Sequence, residues 1–97
     1  MKNLMPPINP GEILQDELDE LGLSANAFAK ALGVPTNRIT TILKGQRRIS
    51  ADTALRLSQY FGTSPKFWMN LQQSYDLKIA MEKNGSEIER VVQPRAA

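Results

Sequence analysis

Residues 24–50 have the sequence SANAFAKALGVPTNRITTILKGQRRIS, and this stretch decides the fold. Apolar residues at helical spacing occur in residues 25–32 and in a second run from Pro35 to about Lys44, and Gly33 lies between the two runs. Glycine permits a tight reversal and proline suits the first turn of a helix, so the pattern predicts two short helices joined by a turn. The stretch contains five basic residues and no acidic one, and it ends in a basic loop. A helix pair in a wholly positive segment is typical of proteins that bind the DNA major groove.

The flanking sequence predicts three more helices and no strands, which gives an all-α domain of five helices. Serines at positions 24, 50 and 64 are suited to begin helices, and glycines at 22, 33, 45 and 62 are suited to end them. The fifth helix is expected to run from Pro65 to about Lys83 and to end at Asn84 and Gly85. We therefore divide the chain into an N-terminal segment (1–9), a helix-turn-helix domain with a C-terminal dimerisation helix (10–83), and a flexible tail (84–97).

Length and composition indicate one folded domain, since 97 residues with 41% hydrophobic content can bury a modest core. The chain has no cysteine and no histidine, and it shows neither a phosphate-binding loop nor metal-ligand spacing. We therefore expect no catalytic residue, no metal site and no cofactor. No apolar run approaches the ~20 residues that span a membrane, and the first residues lack the core of a signal peptide. A cytoplasmic protein with no membrane association is expected.

Charge is segregated along the chain although the net charge is only +2. Residues 1–23 contain one basic and five acidic side chains, residues 24–66 contain seven basic and one acidic, and residues 67–97 contain four of each. A local positive surface favours phosphate binding whatever the total charge. The alternative is chance clustering on a solvated face. Asp16 and Glu20 lie one helical turn apart, but no third ligand is near, so we interpret them as part of a solvated face.

A DNA-binding surface follows from removing the expected core positions of the second and third helices. Phe28, Ala29 and Leu32 are expected to be buried from the second helix, and Ile39, Ile42 and Leu43 from the third. The polar residues that remain, with the start of the second helix and the basic loop, are the candidate DNA-binding residues. They are Ser24, Asn26, Thr36, Asn37, Arg38, Thr40, Thr41, Lys44, Gln46, Arg47 and Arg48.

Different parts of this set suit different contacts. Thr36, Asn37 and Thr41 are the candidates for base edges, because asparagine can pair with adenine and threonine can meet the thymine methyl group. Arg38 suits a guanine or a phosphate, and both alternatives stay open. The loop residues suit the phosphate backbone, and the start of the second helix suits a phosphate through its dipole. The plain alternative is an ordinary exposed face followed by an ordinary soluble loop.

The fifth helix has an apolar surface broader than one stripe, which indicates contact beyond its own domain. We expect a symmetric homodimer through its later part, so that two recognition helices about 34 Å apart meet successive major grooves of a palindrome. The candidate interface residues are Trp68, Tyr75, Leu77, Ile79 and Met81. For residues 67–71, packing inside the monomer is an equally good interpretation.

Residues 24–62 resemble the helix-turn-helix of the Cro/CI-like repressor superfamily, through S-A-N-A-F-A-K-A-L-G-V, Ile39, the K-G pair at 44–45 and the helix that ends at Gly62. Three further blocks are similar to the HigA antitoxins of HigBA toxin–antitoxin modules. They are N-P-G-E-I-L from residue 9, I-S-A-D-T-A-L-R-L from residue 49 and F-G-T-S-P-x-F-W-x-N-L-Q-x-x-Y-D-L from residue 61. The resemblance implies a lambda-repressor-like fold. The segment Pro35-Thr36-Asn37 departs from the glutamine-rich start common in phage repressors, so no operator sequence is carried over.

The HigA resemblance further implies an antitoxin that binds operator DNA, represses its own operon and neutralises a HigB-like ribonuclease toxin. Candidate toxin-contact surfaces are the N-terminal segment and the acidic first helix, with Asp16, Glu17, Asp19 and Glu20. One alternative is a stand-alone helix-turn-helix transcriptional regulator without a toxin. Another is an interaction module whose helix-turn-helix no longer binds DNA.

Overall fold

The computed structural model describes residues 6–96, and this range folds into five α-helices without a strand. The all-α prediction is therefore confirmed. None of the helices in this range combines the length and the apolar character needed to cross a membrane. The helices are α1 (Pro10–Leu21), α2 (Ala25–Leu32), α3 (Thr36–Leu43), α4 (Ala51–Phe61) and α5 (Pro65–Val91).

Serine side chains begin three of these helices, as the sequence predicts. The hydroxyl oxygens of Ser24, Ser50 and Ser64 accept hydrogen bonds from backbone N–H groups in the first turns of α2, α4 and α5. Each bond satisfies one of the N–H groups that a helix start leaves without an internal partner. At the end of α2, Gly33 has a φ of 70°, which lets the chain reverse before Pro35 leads into α3. The local sequence thus determines the helix-turn-helix geometry.

The core lies where α2 crosses α3 and where α4 and α5 pack beside them. Ala29 is fully buried on α2, and its small side chain allows the close crossing. Phe28 packs edge-to-face on Tyr60, with ring centroids 5.2 Å apart. Leu43 was expected in the core and is half-buried against it. The buried apolar residues are Leu14, Leu18, Phe28, Ala29, Leu32, Ile39, Ile42, Ile49, Ala54, Leu57 and Trp68.

The first turn of α1 rests directly on the backbone of α3. Gly11 is buried there, and a β-carbon added to it would overlap the carbonyl oxygen of Ile42 and come 3.1 Å from the α-carbon of Leu43. Asn9 begins the same turn, because its Oδ1 accepts a hydrogen bond from the Gly11 N–H at 2.9 Å. The N-P-G start of α1 therefore fixes the position of the last turn of α3.

The fifth helix is longer than the sequence predicts. α5 continues through Asn84 and Gly85 to Val91, a length of 27 residues, so the predicted end at Lys83 is wrong. A glycine inside a helix costs only about 1 kcal/mol relative to alanine. Beyond it, Glu87 and Arg90 form an ion pair at 2.6 Å along the helix. Helix-forming residues follow Gly85 and no proline interrupts them before Pro94, so the helix continues.

The two ends of the chain are described only in part. The predicted N-terminal segment, residues 1–9, is described only from residue 6, so its first part lies outside the described residues. The flexibility predicted for the tail stays a prediction, although its first part, residues 84–91, belongs to α5.

Candidate nucleic-acid interface

The outward face of α3 consists of short side chains without a carboxylate, as the sequence predicts. Asn37 is exposed, and Thr36, Thr40 and Thr41 are half-buried beside it, whereas the opposite side of the helix is buried in the core. No acidic residue occurs in α3. A narrow edge without a carboxylate can enter a major groove about 12 Å wide without repelling phosphates.

Hydrogen bonds to the backbone orient the threonine hydroxyls of this face. Thr41 Oγ1 donates to the carbonyl oxygen of Asn37 at 2.5 Å, and Thr40 Oγ1 lies 3.4 Å from the same oxygen. Thr41 therefore keeps its methyl group and the hydroxyl lone pairs for an outside partner. The side-chain amide of Asn37 has no hydrogen-bond partner among residues 6–96 and offers two donors and one acceptor.

The first turns of α2 and α3 are joined by side chains. Thr36 Oγ1 donates to Asn26 Oδ1 at 2.8 Å. Ser24 Oγ accepts from the Ala27 N–H at 3.1 Å and is exposed. Asn26 and Thr36 therefore meet at one end of the α3 face, and Ser24 lies two residues before Asn26 at the start of α2. The N-terminus of α2 adds the positive end of a helix dipole, which favours an anion there.

Arg38 is held at the edge of α3 by a carboxylate that the sequence reasoning did not single out for this site. Its Nη1 donates to Asp52 Oδ2 at 2.6 Å, and Arg56 Nε donates to the same oxygen at 2.9 Å. Hydrogen bonds from Arg56 and then Arg38 lower the pKa of the Asp52 carboxyl below its ordinary value of 3.8. Arg56 also donates from Nη1 to the carbonyl oxygen of Leu32 at 2.8 Å, at the end of α2. This network ties α3 and α4 to the turn between α2 and α3.

The basic loop after α3 is a compact turn with exposed side chains. The Gly45 N–H donates to the Ile42 carbonyl at 3.0 Å, and the Gln46 N–H donates to the Thr41 carbonyl at 2.8 Å. Lys44, Gln46 and Arg47 are exposed, and none of the three side chains forms an ion pair or side-chain hydrogen bond with another described residue. These three side chains remain available for phosphate oxygens.

Arg48 differs from its neighbours because α5 already binds it. Arg48 Nε and Nη2 donate to Asp76 Oδ2 at 2.9 and 2.6 Å. Gln72 Nε2 donates to the other oxygen of Asp76 at 3.0 Å, and Gln72 Oε1 accepts from the buried N–H of Ile49 at 2.8 Å. Burial raises the pKa of Asp76, but the hydrogen bonds from Arg48 and Gln72 outweigh it and lower that pKa below 3.8. The end of the basic loop is therefore attached to α5.

The predicted dimer-interface residues divide into two groups. Trp68 is only 2% exposed, and its Nε1 donates to Thr63 Oγ1 at 2.9 Å, so it belongs to the core of its own chain. Its assignment to the interface is wrong, because a buried ring has no surface for a second copy. Leu77 is 60% exposed, and Tyr75, Ile79 and Met81 are half-buried. Phe67, Ile88 and Val91 are further exposed apolar residues of α5.

α1 carries the opposite charge and lies beside an apolar groove. Its five carboxylates are exposed, and none forms an ion pair within residues 6–96. The groove has a volume of about 180 Å³ and is lined by Ile13, Glu17, Phe61, Thr63, Phe67 and Trp68. In the described range, no cluster of three or more histidine, cysteine, aspartate or glutamate side chains could hold a metal ion.

The sequence reasoning missed the residues that support the site from behind. Asp52, Arg56, Gln72 and Asp76 fix the turn, Arg38 and the basic loop through the hydrogen bonds above. All four lie within the blocks that resemble HigA antitoxins, I-S-A-D-T-A-L-R-L and the block from residue 61. The available signal was that these polar residues belong to the family blocks although they are not among the predicted DNA-binding residues.

Comparisons with known proteins agree with this architecture. The helix-turn-helix family model matches residues 14–68. Virulence-associated protein I of Dichelobacter nodosus is 55% identical over 86 residues, covering 88% of this chain and 80% of that protein. The structure of a HigA-family addiction module antidote protein from Coxiella burnetii is 58% identical with a TM-score of 0.92, covering 94% of this chain and 100% of the other. The structure of the Pseudomonas aeruginosa antitoxin HigA with the higBA promoter is 49% identical with a TM-score of 0.91, covering the same shares of 94% and 100%.

Proposed function

We propose that this chain, which belongs to the HigA-type antitoxins of the helix-turn-helix family, binds operator DNA as a homodimer and represses its own operon. We further propose that it neutralises a HigB-like ribonuclease toxin. The family is one of regulators rather than enzymes. The observation that carries the proposal is the carboxylate-free face of α3 followed by unpaired basic side chains. A chain of this fold, 49% identical, has been solved with its promoter DNA. Operator binding also implies a cytoplasmic location.

In the proposed complex, α3 lies in the major groove. The free amide of Asn37 pairs with the N6 and N7 atoms of an adenine, and the methyl group of Thr41 contacts a thymine methyl. Thr36 and Thr40 widen this contact at either side. Arg38 keeps Nη2 and Nε free of described partners and donates from them to a guanine edge or a phosphate.

Phosphate contacts in the proposed complex come from both ends of the α3 face. At one end, Ser24 and Asn26 lie at the N-terminus of α2, where the helix dipole stabilises a phosphate. At the other end, Lys44, Gln46 and Arg47 contact the next phosphates along the strand. Contacts on both sides fix how deep α3 sits and which bases it meets.

The homodimer forms through the later part of α5. Support comes from Leu77, which is 60% exposed, and from the half-buried Tyr75, Ile79 and Met81 around it. A two-fold axis there places two α3 helices on one side of the DNA, about one helical turn apart. Leu77→Asp should abolish the dimer, because pairing about a two-fold axis would bury two carboxylates. Sedimentation velocity at micromolar concentration checks this, and a dimer that persists in the variant argues against α5 as the interface.

The proposed toxin contact involves α1 and its groove. A ribonuclease that binds RNA carries a basic surface, and α1 offers exposed carboxylates with no basic side chain of its own. Phe67, which is 44% exposed, lines the same groove as Glu17 and offers an apolar contact.

One pair of experiments tests the proposal and its alternative. Asn37→Ala should cost about 1–3 kcal/mol at one base pair of the operator and little on random DNA. An equal loss on both DNAs would remove Asn37 from the base contacts. Co-expression with the product of the adjacent gene, followed by affinity purification, tests toxin binding. Operator binding without a co-purified partner favours a stand-alone helix-turn-helix regulator instead.

A further inference from the structure

Two adjacent arginines at the end of the basic loop are in different environments. Arg47 is exposed and has no ion-pair partner in the described chain, whereas Arg48 is paired with Asp76 of α5. From the sequence alone, Arg47 and Arg48 are predicted to contact phosphates in the same way. Their surroundings differ, because only Arg48 has a carboxylate partner among the described residues.

A continuous chain of hydrogen bonds connects Arg48 with the buried backbone. Arg48 donates twice to Asp76, Asp76 accepts from Gln72, and Gln72 accepts from the Ile49 N–H. Gln72 is 3% exposed and Ile49 is fully buried, so the inner end of this chain cannot exchange its partners for water. Gln72 and Asp76 are one helical turn apart on α5, which is why both reach the same loop.

We propose that Gln72 and Asp76 are positioning residues for DNA binding, which act by attaching loop 44–50 to α5 with Arg48 as the link. This role rests on the proposed binding of operator DNA. Lys44, Gln46 and Arg47 then contact the phosphates from a loop that is fixed at its far end. The Q-x-x-x-D spacing within the block from residue 61 has its physical reason here.

A fixed loop matters because each half-site must be bound in register with the other. α5 carries both the proposed dimer contact and the residues that hold the loop. The distance between loop 44–50 of one protomer and the same loop of its partner is therefore set by α5 in each protomer. Loss of the attachment weakens binding to a two-part operator more than binding to random DNA, where no register is required.

Alanine substitutions of Arg47 and Arg48 distinguish a residue that contacts phosphate from one that attaches the loop to α5. Each removes one positive charge per protomer from adjacent positions. Arg47→Ala should reduce the slope of log K against log salt by about 2 for a dimer, since each phosphate contact contributes about 0.9. Arg48→Ala should leave that slope unchanged and lower operator affinity about threefold to tenfold, with a smaller loss on scrambled DNA.

A charge exchange gives the decisive readout. Arg48→Asp and Asp76→Arg should each lower the preference for operator over scrambled DNA, and the double variant should restore a large part of it, because the ion pair forms again with reversed sign although Gln72 Nε2 loses its Asp76 acceptor. The pair is exposed, and thermal unfolding of each variant checks that the core is intact.

Failure of the double variant to recover, or a reduced salt slope in Arg48→Ala, assigns Arg48 to the phosphates and overturns the proposal. Tighter binding of Asp76→Asn to all DNA also overturns it, since Asp76 would then be a competitor of DNA. Absence of operator binding by the unaltered protein refutes DNA binding itself, and this role with it.

Discussion

Gly11→Ala should destabilise the protein, although alanine is the better helix former. On an exposed helix the change would stabilise by about 1 kcal/mol. Here the new β-carbon meets the carbonyl oxygen of Ile42 and the α-carbon of Leu43, which are backbone atoms and cannot move without displacing α3. Overpacking of a rigid contact costs about 1–3 kcal/mol, and the backbone partners place this case at or above the upper end. The net expected loss is about 2 kcal/mol.

The loss should appear in thermal unfolding followed by circular dichroism. For a domain of this size, 1 kcal/mol corresponds to about 4–8 °C, so the Tm should fall by about 8–16 °C. Ser74→Ala, at an exposed position of α5, is the control and should change stability by less than about 0.5 kcal/mol. Because α1 rests on the last turn of α3, operator affinity should also fall at temperatures where the variant is folded. A Gly11→Ala protein as stable as the unaltered one would refute the close approach of α1 to α3.

Three further predictions concern the core, acid stability and the toxin surface. Trp68→Ala should cost about 3–5 kcal/mol in urea unfolding while sedimentation still shows a dimer, because the ring packs within one chain. The pKa values of Asp52 and Asp76 are lowered, so the stability they contribute is complete above pH 3.8 and is lost as pH falls through their lower folded-state values. Asp76→Asn should therefore flatten acid unfolding monitored by fluorescence, and an unchanged profile would contradict this. Glu17→Lys should reduce co-purification of the toxin at least tenfold with operator affinity unchanged, whereas equal recovery would exclude this face.

Helix starts and the crossing of α2 and α3 could be predicted because their causes are local. Ser24 bonds to a backbone group three residues away, and Gly33 needs only its own φ of 70°. The small side chain of Ala29 marks a close crossing whatever the rest of the chain does. Local physical chemistry of this kind is visible in a single sequence.

The end of α5 could not be predicted with the same rules. Asn84 and Gly85 are suited to end a helix, yet they also fit inside one at a modest cost. The favourable residues after Gly85, including the Glu87–Arg90 pair, decide the outcome, and the helix reaches Val91. The cost of Asn84 and Gly85 inside the helix competes with the gain from the residues that follow, and the presence of these two residues alone does not show which is larger.

The supporting network of the site was missed because its partners are far apart in the chain. Arg48 and Asp76 are 28 residues apart, and Arg56 reaches the Leu32 carbonyl across 24 residues. Charge alone assigned Arg48 to the phosphates, and only the packing of α5 shows where its guanidinium lies. Burial of Trp68 was an open alternative for the same reason. It depends on how α1 and α4 pack against α5, and the sequence alone does not give that packing.

The central claim is that the α3 face contacts bases while the basic loop contacts phosphates. Its most direct test is the affinity of the unaltered protein for its own promoter fragment and for a scrambled fragment of equal composition, at increasing salt. The expected result is promoter binding at least about 10³-fold tighter than scrambled binding, with the logarithm of both association constants falling linearly with the logarithm of the salt concentration. Equal affinity for the two fragments at every salt concentration would contradict the claim.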